Sequence, residues 1–330
     1  MIGRFFENLL GGRQNVFWFV FLIVTAVLAG SSFWVINFIA NVDEDDSEMM
    51  AEEMMDGLSP IYVDYFSEVD EYISPEAYLA MAAYDQQFDE VQNVEVLEGL
   101  SSQEMIGYMI NHVSGGLQVN CDYCHSLQNF AADEWEDEEA MANKASARIH
   151  LQLVQDLNRE WLSELASLTD QKQPSGSQIT CATCHYGVAQ PQVWPEDQVG
   201  LPDDFRLPLE DFYSLTEEDL LNVNAREDIS LDAVQYNQQV MYHMNSAMNV
   251  GCTHCHNSRY FPSWEVPAKY YAGHMLLMSQ FIWAEYAESM GNQQPSCTMC
   301  HNGAVIPGGS AVSVDVMPAP LVPVPQEAGR

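Results

Sequence analysis

All eight cysteines of this 330-residue chain fall in one pattern repeated four times: Cys121-Asp-Tyr-Cys124-His125, Cys181-Ala-Thr-Cys184-His185, Cys252-Thr-His-Cys255-His256 and Cys297-Thr-Met-Cys300-His301. Two thiols at this spacing, with histidine next to the second, form the attachment signature of c-type haem. The thiols add to two vinyl groups of one porphyrin, and the histidine falls beneath the iron as its proximal ligand. Paired cysteines also build zinc ribbons, and eight cysteines outside the cytoplasm could form four disulfides. Neither alternative needs histidine directly after every second cysteine. With nine histidines in 330 residues, four such placements by chance are on the order of one in a million. The pattern predicts four covalently bound c-type haems, with His125, His185, His256 and His301 as proximal ligands. Four apolar macrocycles would then replace much of a side-chain core.

The text around the motifs repeats as well. CHYGVAQP after the second matches CHNGAVIP after the fourth, and MINHVSGGLQVNC before the first resembles MYHMNSAMNVGC before the third. The order A-B-A′-B′ reads as an internal duplication of a two-motif unit. Residues 101–113, 142–168, 230–248 and 267–290 are apolar at three- and four-residue spacing. They predict helices closed by Gly115-Gly116, Pro174-Ser175-Gly176 and Gly291. No run of alternating strands appears. The expected fold is mainly α with extensive irregular loop, a multihaem cytochrome c built from duplicated two-haem units, plus one N-terminal transmembrane helix.

Charge narrows the partners. There are 48 acidic and 11 basic residues, a net charge of −37. Such a chain has no cationic excess for nucleic acid, nor for docking on anionic lipid without insertion. Its N-terminus carries Arg4 and Arg13, then an apolar stretch from Val16 to about Ala40 with Trp18 and Trp34 near its ends, then Asp43, Glu44, Asp45 and Asp46. The stretch is long enough to span a bilayer, and the charge order puts the N-terminus inside. A cleaved signal peptide is the alternative, but its apolar core is usually only ~7–15 residues. Leu28-Ala29-Gly30-Ser31 resembles a lipoprotein cleavage box with serine in place of the lipidated cysteine. A retained single-pass anchor is therefore expected, holding the remainder in the periplasm of a Gram-negative host. Residues 1–41 read as cytoplasmic N-terminus and anchor. Residues 42–57 read as an acidic, Met-rich tether whose methionines pack rather than bind metal. Residues 58–311 form the tetrahaem domain, and 312–330 a Pro-rich extended arm.

The sixth iron ligand separates a closed electron carrier from an open catalytic site. Candidates are methionines and the remaining histidines: His112, His150, His243, His254 and His274. Met109 lies 12 residues before Cys121 and Met241 lies 11 before Cys252, each on a helix running into its motif. Most of the methionines pack in a core, but the matching positions of these two in A and A′ mark them as ligand candidates.

These features together resemble the tetrahaem cytochrome c subunit of purple-bacterial photosynthetic reaction centres. The likeness rests on the four motifs, the CHxGxxxP endings, the preceding helices and the stretch CTHCHNSRYFPSW, and it covers nearly the whole body. It implies four haems in a roughly linear array on the periplasmic face of the reaction centre, the third motif's haem nearest the photo-oxidised bacteriochlorophyll pair. It implies Met ligation of three haems and a second histidine on the fourth. Met109 and Met241 match the family's Met positions for the first and third haems. ARIHLQLVQDLNREWLSEL looks like the family's helix, but His150 stands where its methionine belongs. The family's second histidine would fall near Glu164, and residues 151–180 contain none. His150 is therefore assigned to the second haem. Met275 is assigned to the fourth, because it precedes Tyr286 by eleven residues as His150 precedes Trp161. His274 competes with Met275, and an unligated fourth haem is the remaining alternative. His112, His243 and His254 read as surface residues or propionate partners.

The resemblance implies an electron-transfer subunit of the inner, photosynthetic membrane. It would take electrons from a soluble cytochrome c or a high-potential iron–sulfur protein, and it would contact reaction-centre core subunits and the surrounding light-harvesting ring. Two other classes compete: a periplasmic multihaem reductase with one open iron, and a membrane-anchored quinol dehydrogenase. The first lacks a cationic cluster for oxyanions, and the second uses mostly paired histidines, against Met109 and Met241. Six acids surround Trp135 between Asp133 and Glu139. They read either as a solvated negative face or as a docking patch for a basic carrier.

Overall fold

The computed structural model describes Phe21, Thr25 and residues 72–198, 200–209 and 230–323. The chain divides into two compact units, Met1–Leu58 and Ser59–Arg330. In the first, Phe21 and Thr25 are helical, and the Thr25 hydroxyl donates to Phe21 O at 2.9 Å. The rest of the expected span, and the whole tether over 42–57, lie outside the described residues. Among the described residues no helix is long and apolar enough to cross a membrane.

The second unit is mainly helical. Among its described residues no strand forms, only isolated bridges such as Gln178 with Ala311. The helices start where local chemistry supplies partners for their first N–H groups. Helix α1 (Pro75–Gln87) has Pro at its first position, and the Ser74 side chain accepts from Ala77 N at 3.2 Å. Helix α2 (Ser102–Tyr108) opens on a capping box: Glu104 accepts from Ser101 N at 2.8 Å, and Ser101 Oγ accepts from Glu104 N at 3.3 Å. It continues as a π turn (Met109–Ser114) and then α3 (Gly115–Leu117). Gly115-Gly116 does not end this helix as expected. The end comes at Gln118, in a left-handed conformation with φ 53°. Helix α4 (Glu138–Asp156) is capped by Asp137 and runs into a second π turn (Leu157–Leu162). It begins earlier than its apolar period because Glu138 and Glu139 in its first turn suit the positive end of the helix dipole. Helices α5 (Cys181–His185) and α8 (Cys297–His301) are themselves motifs two and four. Between them run α6 (Leu231–Met248), capped by Ser230, and α7 (Pro267–Tyr286).

Packing follows these helices. One apolar cluster joins Leu97, Tyr108, Leu157, Met278 and Ile282; another joins Trp194, Phe205, Val240, Leu276 and Met299. The segment expected as an extended arm instead contributes Met317, Leu321 and Val322 to the first cluster. Gln155 and Arg159 of α4 and its π turn hold it there, donating to Pro320 O at 2.6 Å and Val322 O at 3.0 Å. Those bonds satisfy the carbonyls of a segment whose prolines have no N–H to make regular structure.

Candidate functional site

The four motifs adopt two local conformations. The first and third begin with a short 3₁₀ turn (Cys121–Tyr123 and Cys252–His254), whereas the second and fourth are single α turns. Tyr186 and Asn302 follow the second and fourth histidines at φ 49° and 38°, each before a glycine. One feature is common to all four. Each motif histidine directs Nδ1 at a backbone carbonyl just downstream: His125 at Phe130 O (3.0 Å), His185 at Val188 O (3.0 Å), His256 at Phe261 O (2.9 Å) and His301 at Ala304 O (2.9 Å). A carbonyl only accepts, so the proton sits on Nδ1 and the Nε2 lone pair is left for a metal.

The first two motifs face one cavity of about 580 Å³. Its walls include Cys121, Cys124, His125, Cys181, Cys184 and His185, together with the candidate ligands Met109 and His150. Burial pushes the Cys121 and Cys181 thiols up to about 11 and the Cys124 thiol up to about 12. Burial also lowers His125 to about 4 and pulls His150 and His185 below the usual imidazole range. Neutral thiols and neutral imidazoles are the forms an apolar macrocycle with an iron centre would meet. The residues therefore fit a haem. Among the described residues no three Cys, His, Asp or Glu side chains converge as a zinc ion requires. The eight thiols are unbridged.

The candidate sixth ligands fare differently. The rings of His150 and His185 have centroids 5.9 Å apart. Two imidazoles on opposite sides of one metal, each ~2 Å from it, would have centroids ~6 Å apart. His150 Nε2 meanwhile reaches Ser289 O at 3.3 Å, a bond that ligation would replace. Met109 opens the π turn. Its spacing from Cys121 is one residue longer than that of Met241 from Cys252, and one surplus residue in a regular helix would rotate it by about 100°. The π turn at Met109–Ser114 accommodates that surplus residue within the helix. Met241 lies half-buried against the cluster that Cys297 and Cys300 also border, whereas Met275 packs against the other cluster, which Trp161 also borders. The competitor His274 is engaged, its Nε2 donating to Trp161 O at 2.9 Å.

One expectation needs correction. His112 and His243 are not surface groups, being 4% and 2% exposed. His112 stacks on Tyr108, and His243 stacks on Trp194 at 4.8 Å while Nε2 accepts from Cys297 N at 3.1 Å. Burial lowers His243 to about 4, so it stays a neutral acceptor. Both lie nine residues before the first cysteine of their motif, a matching offset that could have singled them out. The acidic loop is also less free than its charge suggests. Asp133 pairs with Lys144 at 3.2 Å and Arg148 at 2.9 Å, and Asp137 caps α4. Glu134, Glu136, Glu138 and Glu139 remain exposed.

Asn158, wholly buried, holds the approach to the second motif: Nδ2 donates to Ile179 O (3.0 Å) and Oδ1 accepts from Ile179 N (2.7 Å). The helix before each A motif grips the following B motif, through Gly187 N to Gly116 O (2.9 Å) and Gly303 N to Ala247 O (2.7 Å). At Gly116 a Cβ would stand 2.9 Å from Ala182 N, so only glycine allows that approach. Motifs two and four also meet each other. Cys184 Sγ lies 3.1 Å from Cys300 Sγ, the Tyr186 hydroxyl donates to Cys300 O, and Thr180 Oγ1 donates to Gly309 O at 2.6 Å.

The family described as photosynthetic reaction centre cytochrome C subunit matches residues 102–194, the stretch that holds the first two motifs and much of the cavity wall. Cytochrome c-554 of Chloroflexus aurantiacus is 30% identical, over 68% of this chain and 72% of that protein. The chain belongs to the photosynthetic reaction-centre cytochrome c subunit family. Members from Rubrivivax gelatinosus and Thermochromatium tepidum are 25% and 27% identical, over 66% and 52% of this chain. The chain spans 66% and 45% of their lengths. Membership brings covalently bound c-type haem and makes the chain an electron carrier rather than an enzyme.

Proposed function

We propose that this chain passes electrons from a soluble periplasmic carrier to the photo-oxidised bacteriochlorophyll pair of a reaction centre, using four c-type haems. The observation that carries the reading is the fourfold anchoring of an imidazole Nδ1 on a downstream carbonyl, once in every Cys-x-x-Cys-His motif. When bound, each haem supplies a one-electron ferric–ferrous couple. The eight motif cysteines hold the macrocycles. The proximal histidines would present Nε2 to the irons, and Met109, His150, Met241 and Met275 are the residues that would supply the second protein ligand of the first to fourth haems, the last from a cluster other than the one that Cys297 and Cys300 border. The shared cavity of motifs one and two, the contact of two with four, and the grip of α6 on α8 favour the order first, second, fourth, third. The paired conformations of motifs one and three, and of two and four, support an internal duplication.

In this reading residues 16–40 form a single-pass anchor, and the haem domain lies on the periplasmic face of the inner membrane. Reaction-centre core subunits and the light-harvesting ring are its membrane partners. The test begins with solubilised membranes. A denaturing gel should show haem staining on the full-length band, mass spectrometry should give four haems per chain, and the chain should co-purify with bacteriochlorophyll-binding subunits. Colour lost on acid extraction would overturn covalent attachment. Four attached haems without bacteriochlorophyll subunits would leave a cytochrome serving another acceptor.

The donor's approach is tested through salt. A negative surface steers a basic carrier, and a Debye length of ~10 Å at 0.1 M screens that steering. Re-reduction by the donor after a flash should slow as salt rises. Glu134→Gln, Glu136→Gln and Glu139→Gln together should flatten the dependence, since these acids are exposed whereas Asp133 and Asp137 hold the loop. A rate indifferent to salt in the unaltered protein would remove the docking role and favour an iron–sulfur donor that docks by apolar contact.

A further inference from the structure

Three lysines occur in this chain of net charge −37, and two of them end on one kind of atom. Phe130 O, the acceptor for His125 Nδ1 at 3.0 Å, also accepts from Lys144 Nζ at 3.1 Å. Phe261 O, the acceptor for His256 Nδ1 at 2.9 Å, also accepts from Lys269 Nζ at 3.2 Å. The two lysines reach these carbonyls from different places, Lys144 from α4 nineteen residues after His125 and Lys269 from the first turn of α7 thirteen after His256. Both are held firmly. Lys144 is 8% exposed, donates to Ala132 O at 2.5 Å and pairs with Asp133. Lys269 donates to Pro262 O at 2.9 Å and Ser263 O at 3.1 Å, and lies 4.5 Å from the Trp264 ring. At motifs two and four, Val188 O and Ala304 O take the histidine alone, with no ammonium on either carbonyl among the described residues.

The chemistry of the difference is simple. A proximal histidine whose Nδ1–H meets a strong acceptor gains imidazolate character, donates more density to the iron and stabilises the ferric state. An ammonium on the same carbonyl draws off that acceptor's lone-pair density. It also adds positive charge two hydrogen bonds from the ring, which further disfavours the more positive ferric centre. We infer that Lys144 and Lys269 are positioning residues that raise the potentials of the first and third haems, a bias the second and fourth do not receive. The inference rests on the haem reading of the motifs given above. It places the biased haems at the two ends of the order first, second, fourth, third, where electrons enter and leave.

The test is a redox titration of the purified full chain, in which the axial-ligand variants Met109→His, His150→Met and Met241→His mark the steps of the first, second and third haems and leave the remaining step to the fourth. Lys144→Met should lower the ferrous-to-ferric ratio of the first haem at a fixed ambient potential roughly tenfold, which is ~59 mV for a one-electron couple. Lys269→Met should do the same at the third haem. Lys144→Arg and Lys269→Arg should keep most of the original potential, which a role in packing alone would not produce. Where a Met variant matures poorly, Lys→Gln keeps a donor without the charge and should shift the same haem in the same direction, by less. Four haems at unchanged potentials, or an equal drift of all four, would overturn the inference. Mass spectrometry on the same samples separates that outcome from a chain without covalent haem, which would instead overturn the proposed function.

Discussion

Met241→His is expected to lower the midpoint potential of the third haem by on the order of 0.1 V, within the ~0.8 V range that axial ligands command. A thioether favours ferrous iron relative to a second imidazole, so the exchange removes that preference. Met241 sits half-buried in the long helix before the third motif, as Met109 precedes the first. Electrons arriving from upstream would have to climb to the altered haem, and refilling of the bacteriochlorophyll pair under repeated flashes should slow. Redox titration and flash kinetics on the same membranes read both effects. If every potential stays where it was while four haems are retained, Met241 is a packing residue and the ligand must be sought elsewhere on that helix.

The reverse exchange is expected at the second haem. His150→Met should raise its potential by a similar amount and replace a bis-histidine low-spin signal with a His/Met one in low-temperature magnetic circular dichroism. The expectation stands on the 5.9 Å between the His150 and His185 rings and on their place in one cavity wall. His150 lies on the fourth turn of a well-capped helix, so a methionine there has the same backbone platform. A second haem whose potential and spectrum do not respond would reduce His150 to a structural role, its Nε2 bonded to Ser289 O.

Much of this was legible in the sequence, for physical reasons that differ from element to element. Helix α6 was readable because its Ser230 cap and its periodic apolar residues agree, and α7 because Pro267 opens a stretch of apolar residues at helical spacing. Helix α1 was missed because PEAYLAMAAYDQQ has no marked apolar face, and its start is signalled only by Ser74-Pro75. The motif cysteines and histidines announce themselves by covalent spacing. The carbonyls that orient the histidines do not, because they belong to backbone that any residue could supply. The surface reading of His112 and His243 failed because a histidine outside the motifs is most often exposed, whereas here aromatic rings stack on them. The burial of Met317, Leu321 and Val322 escaped because a Pro-rich stretch carries no period, although its apolar side chains can still fill a core. Lys144 and Lys269 gave no signal in the sequence, because the carbonyls they reach are set by backbone folding and not by any motif.

The π turn at Met109–Ser114 separates the length of a helix from the position of the group it presents. A chain with a rigid α-helical register can gain or lose a residue only at a loop, since any change inside swings every earlier side chain to a new direction. Here six residues share the surplus as a widened turn, and the helix upstream keeps its direction relative to the motif. The segment between Met109 and the motif can therefore differ in length by one residue from its counterpart before the third motif without a break in the helix.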